Sequence, residues 1–341
     1  MMKVKQVTFV EVNKAELRET ELNENLRPDE IISRTLYSGI SAGTEGAMYA
    51  GYGTPGPPTT AGSSNVGEVI AVGSAVKSVK PGDKVISWCN HDSYAKFSEI
   101  PREFGWNGFC LAIKVPDCLP LHHAAVIYHY SISMSAVRHS RVKPGDDALV
   151  IGAGIIGSAA AQLYAAAGAL VTVADISEKR LAVIRRCGIP AVNPAGRNYK
   201  EIVEEITQGR KLHQCVLAIE GSNLIAELVE CMRVYGCITL LGGYRKTAML
   251  DVAPIFNRIN GNSLRIQGAG GMAFPVAEKP YLHDTHNGNY RQLADLMHRG
   301  KLQPEPLISL VNPADCQQVY QDLVYNKDKH LGCVFDWSMV K

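Results

Sequence analysis

Residues 148–157 read Ala148-Leu149-Val150-Ile151-Gly152-Ala153-Gly154-Ile155-Ile156-Gly157. Ala148–Ile151 is a short apolar run of the kind that forms a buried strand, and the three glycines after it have the spacing G-x-G-x-x-G. Gly154 to Ala167 is rich in alanine and reads as a helix. Leu170 to Ala174 reads as a second strand. Such a turn lets the backbone approach a ligand at Gly154 and lets helix and strand pack closely at Gly157. It also aims the free N–H groups of the helix start at a phosphate. The stretch therefore predicts a dinucleotide site built from Gly152, Gly154, Ile155, Ile156 and Gly157. Asp175 closes the second strand, where a carboxylate accepts the ribose 2′-hydroxyl and repels a 2′-phosphate. That favours NAD(H) over NADP(H). Lys179 and Arg180 lie close enough to soften the preference, and Arg180 joins the cofactor set. A glycine-rich turn without a nucleotide is the competing reading, and the strand–turn–helix–strand context argues against it.

Downstream the pattern continues. Ser177 begins a helix with Glu178 in its first turn, where a carboxylate favours the helix dipole. Strands are predicted at Cys215–Ile219, Cys237–Leu241 and Leu264–Gln267. Helices are predicted at Tyr199–Ile206, Ser222–Val234 and Pro254–Arg258. Gly242 follows the Cys237–Leu241 strand and joins the cofactor residues. Alternating strand and helix over 124–271 means a parallel, doubly wound sheet. Upstream, residues 1–123 read as short strands and turns: Val4–Val12, Glu30–Ser38, Val66–Val72, then the Lys80-Pro81-Gly82-Asp83 turn and Lys84–Trp88, with a Gly/Pro/Thr-rich loop at Gly51–Gly62. A partly closed all-β barrel fits them. After about Gly271 come a loop (Phe274–Asn287), a helix near Asn289–Arg299 and a strand–helix–strand segment from Leu307 to Phe335 that returns to the first domain. The fold class is α/β plus β, with 1–123 and 272–341 in one domain and 124–271 in the other.

The chain has 341 residues, more than one core usually organises, with 46% apolar residues, 20% charged residues and a net charge of +2. That balance gives no reason to expect nucleic acid or a membrane surface as partner. No run of roughly 18 apolar residues occurs, and Lys3 and Lys5 are not followed by a leader-like apolar core, so a cytoplasmic location is expected. Nine cysteines, at 89, 110, 118, 187, 215, 231, 237, 316 and 333, form no C-x-x-C pair and read as reduced thiols.

With these pieces in place the chain resembles the medium-chain dehydrogenase/reductase superfamily over almost its whole length. The likeness rests on Gly67-Glu68-Val69 with Gly73, on Lys80–Val85, on Val142-Lys143-Pro144-Gly145-Asp146, on Leu240–Gly243 and on Leu264–Gly268, besides the glycine turn. It implies a GroES-like barrel built from both chain ends, a Rossmann domain, an active cleft between them, and a homodimer or homotetramer. Alcohol dehydrogenases of this family hold a catalytic zinc. Here Ser41 stands at the cysteine position in Gly39-Ile40-Ser41-Ala42-Gly43-Thr44-Glu45, and the family's Gly-His-Glu appears as Gly62-Ser63-Ser64. The third ligand position falls near His129. One possible ligand does not make a zinc site, and Cys89, Cys110 and Cys118 lack structural-zinc spacing, so no metal is expected. The run Ser38–Glu45 is similar to a zinc-less branch that includes bacteriochlorophyllide dehydrogenase-like proteins and the dehydrogenase halves of some sugar-processing oxidoreductases.

Oxidising an alcohol without zinc needs a general base and hydrogen-bond donors. The resemblance brings Ser41–Glu45, Trp88–His91 and Tyr128–Tyr130 to the substrate. His91 and His129 are candidate acid–bases, each with a structural alternative: a loop histidine and a packed helix-start histidine. Thr44 matches the family hydroxyl that passes the substrate proton on, against a simple turn hydrogen bond. Ser41, Ser63, Trp88 and Tyr128 are candidate substrate contacts. Glu45 is either a substrate-side base or a structural partner. His283-Asp284-Thr285-His286 has metal-like residue types but reads as a loop. The expected reaction is zinc-independent, NAD(H)-dependent interconversion of a secondary alcohol (a sugar, polyol or other polar metabolite) and its ketone. The alternatives are an NADH-dependent reductase of an activated C=C bond or quinone, and a non-catalytic NAD-binding sensor.

Overall fold

The computed structural model describes residues 1–52, 56–99, 112–244, 247–270, 274 and 284–340. The chain forms two compact units. One holds Met1–Tyr128, Phe274–Arg299 and Ile308–Lys341; the other holds His129–Ala273 and Gly300–Leu307. The division thus falls after Tyr128 rather than after His123, and residues 300–307 join the second unit rather than the first. The boundary expected at 271/272, Cys110, His283 and most of the Phe274–Asn287 loop lie outside the described residues.

In the first unit the order is β1 (Met2–Glu11), β2 (Lys14–Leu22), β3 (Glu30–Gly39), α1 (Ala42–Tyr49), β4 (Thr59–Thr60), β5 (Ser64–Val72), β6 (Lys84–Ser87), β7 (Tyr94–Ser98), β8 (Ile113–Lys114) and α2 (Leu121–Ala124). The second unit follows with α3 (Ile127–Ser140), which begins at the junction, then β9 (Asp147–Ile151), α4 (Ile155–Ala166), β10 (Leu170–Ala174), α5 (Glu178–Arg186), β11 (Ala191–Val192), α6 (Tyr199–Thr207), β12 (Leu212–Leu217), α7 (Ile225–Cys231), β13 (Met232–Leu240), α8 (Val252–Asn262) and β14 (Arg265–Gly268). The chain ends in the first unit with α9 (His286–His298), β15 (Ile308–Val311), α10 (Cys316–Tyr325) and β16 (Gly332–Asp336).

The first unit is the GroES-like half. Its larger sheet runs β15-β16-β3-β5-β6-β8, with β7 also on β3, and β2-β1-β4 make a smaller one. β3 shares one edge between two strands: Tyr37–Gly39 pairs with β16 and Glu30–Arg34 with β7. Strand β16 carries the C-terminal sequence back to the N-terminal half. Between them Phe9, Ile40, Tyr49, Tyr320 and Phe335 close a core in which both chain ends take part. β2 carries no signal in the sequence because only Ala15 of its nine residues is buried; its polar face meets water and gives no alternation to read.

In the second unit six parallel strands stand in the order β11-β10-β9-β12-β13-β14. β9 is buried at all five positions, which explains its unbroken apolar sequence. α5 starts where expected, with the Ser177 hydroxyl accepting the Arg180 N–H. The helix predicted at Ser222–Val234 is shorter. It ends at Cys231, and β13 begins at Met232. Met232, at φ −85° and ψ 141°, is already extended, so the chain leaves the helix there and enters the strand. The helix predicted at Pro254–Arg258 is longer and spans Val252–Asn262, capped by Asp251. Among the described residues no helix is long and apolar enough to cross a membrane.

Candidate functional site

The glycine turn begins where β9 ends. Gly152 adopts φ +106°, and its N–H donates to the Ala174 carbonyl at 2.8 Å, tying the turn to β10. A Cβ at Gly157 would lie 1.8 Å from the Gly152 carbonyl oxygen, so only glycine lets α4 come this close. Gly154 differs. A Cβ there would meet no described protein atom within 4 Å, so packing does not require glycine at that position. Gly154 is the N-cap of α4. Among the described residues no side chain caps this helix, and no acidic residue lies in its first turn. The first N–H groups at Ile155, Ile156 and Gly157 have no partner within the helix itself. Open space above a glycine, against an uncapped helix start, fits a pyrophosphate.

Asp175 lies beside this turn. Its Oδ2 accepts the Ala153 N–H at 2.7 Å, and its Oδ1 accepts the Ser177 N–H at 2.8 Å. Each oxygen keeps a lone pair for a ribose hydroxyl. The Arg180 guanidinium stands 4.0 Å from Oδ2. On the other side of β9, Gly242 donates its N–H to the Leu217 carbonyl at 2.9 Å, and a Cβ there would lie 2.3 Å from the Ile219 carbonyl oxygen. The Ile219 side chain also fills the space beside Gly152. The carboxyl ends of β9, β12 and β13 thus converge on Ala218-Ile219, at the point where the strand order reverses and ligands bind in sheets of this type. The sequence reading places Ile219 in a strand and misses this role. Its signal is a small residue, Ala218, between two apolar positions at a strand end.

The barrel unit holds a buried polar chain. Trp337 Nε1–H donates to Ser38 Oγ at 3.0 Å, and Ser38 Oγ lies 2.8 Å from His91 Nδ1. His91 Nε2 lies 2.9 Å from Glu45 Oε2, which also accepts the Tyr320 hydroxyl at 2.5 Å. Glu45 Oε1 accepts the Ser41 N–H at 2.8 Å. Tryptophan can only donate, so Ser38 accepts from it, and its second lone pair or its own proton meets Nδ1. A carboxylate can only accept, so Nε2 carries a proton that points at Glu45, an assignment made from the network. Burial alone would raise the Glu45 pKa, but His91, Tyr320 and the Ser41 N–H together bring it below its ordinary value. Burial and the facing Glu45 carboxylate hold the Tyr320 hydroxyl well above its ordinary range.

His91 is fully enclosed and Glu45 nearly so. Both His91 nitrogens and both Glu45 oxygens have partners within the barrel core, which is the arrangement of the structural alternative for each residue. Tyr320, Ser38 and Trp337 carry no local signal: they come from distant parts of the chain and meet only through β16 and α10.

The remaining candidates divide between the units. Trp88 and Tyr128 pack edge to face at 4.8 Å in the first. Burial, then the Glu45 charge, pushes the Tyr128 hydroxyl up to about 12, with the Ser63 hydroxyl opposing. Ser41 is buried, and Ser64 donates to the Ala125 carbonyl at 2.6 Å. Thr44 is exposed on the first turn of α1. His129 belongs to the second unit and is buried near the start of α3. Of the metal-like run, Thr285 caps α9 by accepting the Gly288 N–H, and His286 opens that helix.

Asp92, next to His91, is pushed up to about 6, mainly by burial, with Gln6 and His91 opposing. Its folded pKa exceeds its unfolded one, so the folded state binds more protons and stability falls as pH rises from about 4 to about 6. Asp92→Asn is expected to raise stability at pH 7 by about 1–3 kcal/mol and to show no gain near pH 4. Urea unfolding at the two pH values checks this.

Comparison with known proteins agrees with this architecture. Residues 27–121 match the alcohol dehydrogenase GroES-like domain, and residues 156–282 match the zinc-binding dehydrogenase family. A D-xylulose reductase of Morganella morganii is 24% identical over 336 residues, covering 90% of this chain and 94% of that protein. An uncharacterized zinc-type alcohol dehydrogenase-like protein of Haemophilus influenzae is 28% identical over 201 residues, 58% of this chain but only 53% of that protein. The structure of galactitol-1-phosphate dehydrogenase from Escherichia coli superposes with a TM-score of 0.82 at 19% identity, over 97% of this chain and 99% of that one. A GroES-like segment and a zinc-binding dehydrogenase segment, each matched in sequence and in that order, support the medium-chain dehydrogenase/reductase superfamily for this chain.

Proposed function

We propose that this protein is an NAD(H)-dependent oxidoreductase that interconverts a secondary alcohol and its ketone without zinc. Its main support is the open space at Gly154, in front of an uncapped helix start and beside the Asp175 carboxylate. The Ile155–Gly157 N–H groups would hold the pyrophosphate, and Asp175 the adenosine ribose. When bound, the nicotinamide supplies the hydride acceptor for the carbinol carbon. The hydroxyl proton must leave separately, and Thr44 and His129 are the candidates for it. Serine hydroxyls at Ser41 and Ser63 stand where the family has thiolate and imidazole. A neutral hydroxyl is not among the ligands that hold zinc in proteins, so the donor set does not fit that metal. Relatives named as a xylulose reductase and a galactitol-phosphate dehydrogenase support a polyol- or sugar-like substrate. The test is NADH formation across a panel of polyols, sugars and simple secondary alcohols. Turnover on a polyhydroxy substrate is expected. Reduction of enones or quinones, with no alcohol oxidised, would overturn the reading in favour of C=C reduction.

The cofactor preference has its own test. A 2′-phosphate about 4 Å from the Asp175 carboxylate meets repulsion on the order of 3–4 kcal/mol at an effective dielectric near 20. NADH should therefore bind roughly 100-fold or more tightly than NADPH. Asp175→Asn keeps an acceptor oxygen but removes the charge, and should narrow that ratio by at least about tenfold. Fluorescence titration of both cofactors reads it directly.

A further inference from the structure

The amino ends of β9, β12, β13 and β14 lie at the sheet edge opposite the glycine turn, one strand length away, about 17–20 Å. A cavity of about 470 Å³ opens there. Arg141, Lys143, Arg233 and Arg265 surround it, and Asp146 is the one carboxylate among its described lining residues. That carboxylate is already committed: Oδ2 accepts the Lys143 backbone N–H at 3.0 Å and Gln214 Nε2 at 2.9 Å. Arg265 donates to the Ser140 carbonyl. Among the described residues no carboxylate pairs with the side chains of Arg141, Lys143 or Arg233, all of which are exposed.

His213 shows the imbalance most clearly. Its Nδ1 accepts the Asp147 backbone N–H at 3.0 Å and so carries no proton. The ring proton must then be on Nε2. The Arg233 guanidinium is the neighbour of that nitrogen, so two N–H donors share this corner of the cavity. Asp146 Oδ1 stands 3.8 Å from Nε2, too far to accept its proton. Burial, then the Arg233 charge, holds the His213 pKa below its ordinary value. An anionic oxygen set beside this pair would accept from both donors. Two non-glycine residues on the same rim, Arg141 at φ +57° and Tyr235 at φ +64°, sit in the left-handed region.

We infer that this cavity is a second ligand site, taking a small polyvalent oxyanion of the phosphate type on Arg141, Lys143, Arg233 and the His213 Nε2–H. Its volume suits a small molecule, and the largely exposed Tyr235 ring at its mouth offers a flat face to the rest of such a ligand. The site is independent of the dinucleotide turn, which lies at the other end of the same strands.

The test titrates inorganic pyrophosphate into the full chain by calorimetry, in phosphate-free buffer and with saturating NADH, so that the glycine turn does not take the probe. One pyrophosphate per chain is expected, with Kd below about 1 mM. Affinity should fall at least about tenfold in Lys143→Ala and in Arg233→Ala. Both side chains are exposed, and unchanged NADH affinity would confirm that each variant is folded. No binding by the NADH-loaded wild type, or equal affinity in the variants, would overturn the proposal. If NADH itself does not bind, that result falls on the dinucleotide reading alone. The comparison of wild type and variants without NADH then still decides the cavity.

Discussion

Glu45→Ala is expected to destabilise the barrel unit by about 3–5 kcal/mol, the cost of breaking a buried, hydrogen-bonded pair from one side. Removing the carboxylate leaves His91 Nε2–H, the Tyr320 hydroxyl and the Ser41 N–H without their acceptor, all in a core sealed by Phe335 and Trp337. Each orphaned donor costs about 1–3 kcal/mol, so the sum is not a surface effect. Glu45→Gln keeps an acceptor oxygen and should lose less. Urea unfolding followed by tryptophan fluorescence measures both, since Trp337 ends the same chain of hydrogen bonds. A loss below about 1 kcal/mol in the alanine variant would mean that the network is not holding the two chain ends together. Acid gives a second reading. The folded pKa of Glu45 lies below its unfolded value, so the folded state binds fewer protons. This contribution is present above the unfolded carboxylate pKa of about 4.3 and is lost as pH falls through the lower folded value. The gap between wild type and Glu45→Gln should close in that acid range.

Gly157→Ala is expected to weaken NADH binding by roughly 100-fold or more. The added methyl would sit 1.8 Å from the Gly152 carbonyl oxygen, so the helix start must move away from the turn. Gly154→Ala provides the contrast. Its methyl meets no described protein atom, and φ −70° with ψ 176° suits any residue. The cofactor-free protein should be unchanged or gain about 0.4–1 kcal/mol from a stiffer unfolded chain. NADH affinity should nevertheless drop, because the methyl takes the space left for the phosphates. Calorimetric titration of NADH into both variants, with thermal unfolding in its absence, separates the two effects. If Gly154→Ala binds NADH like the wild type, the open space at Gly154 is not where the pyrophosphate lies.

The nucleotide half is legible in the sequence because its signals are local. A buried strand shows as an unbroken apolar run at Ala148–Ile151, and the glycine spacing follows from the sterics of one turn. Asp175 and Ser177 are read from their places at a strand end and a helix start. The residue pattern misplaces the start of β13 because helix passes to strand at Met232 with no glycine or proline between them, so Met232–Val234 looks like more of the preceding helix. The barrel site is legible only in its residue types. His91 and Glu45 stand out as chemically able groups, but whether they face substrate or core depends on Tyr320 and Trp337. Those residues reach them through strand pairing across almost the whole chain. Titratable groups that look catalytic in sequence can equally be held by partners inside the core, and only the three-dimensional contacts tell the two apart.

Zinc independence is decided by NADH formation with enzyme stripped of metal by a strong chelator, assayed on its best alcohol substrate with and without added zinc. The rate should be the same before stripping, after stripping and after zinc is returned, because Ser41 and Ser63 offer hydroxyls where a zinc site needs thiolate and imidazole. Activity that disappears with the chelator and returns with stoichiometric zinc would refute the zinc-free reading.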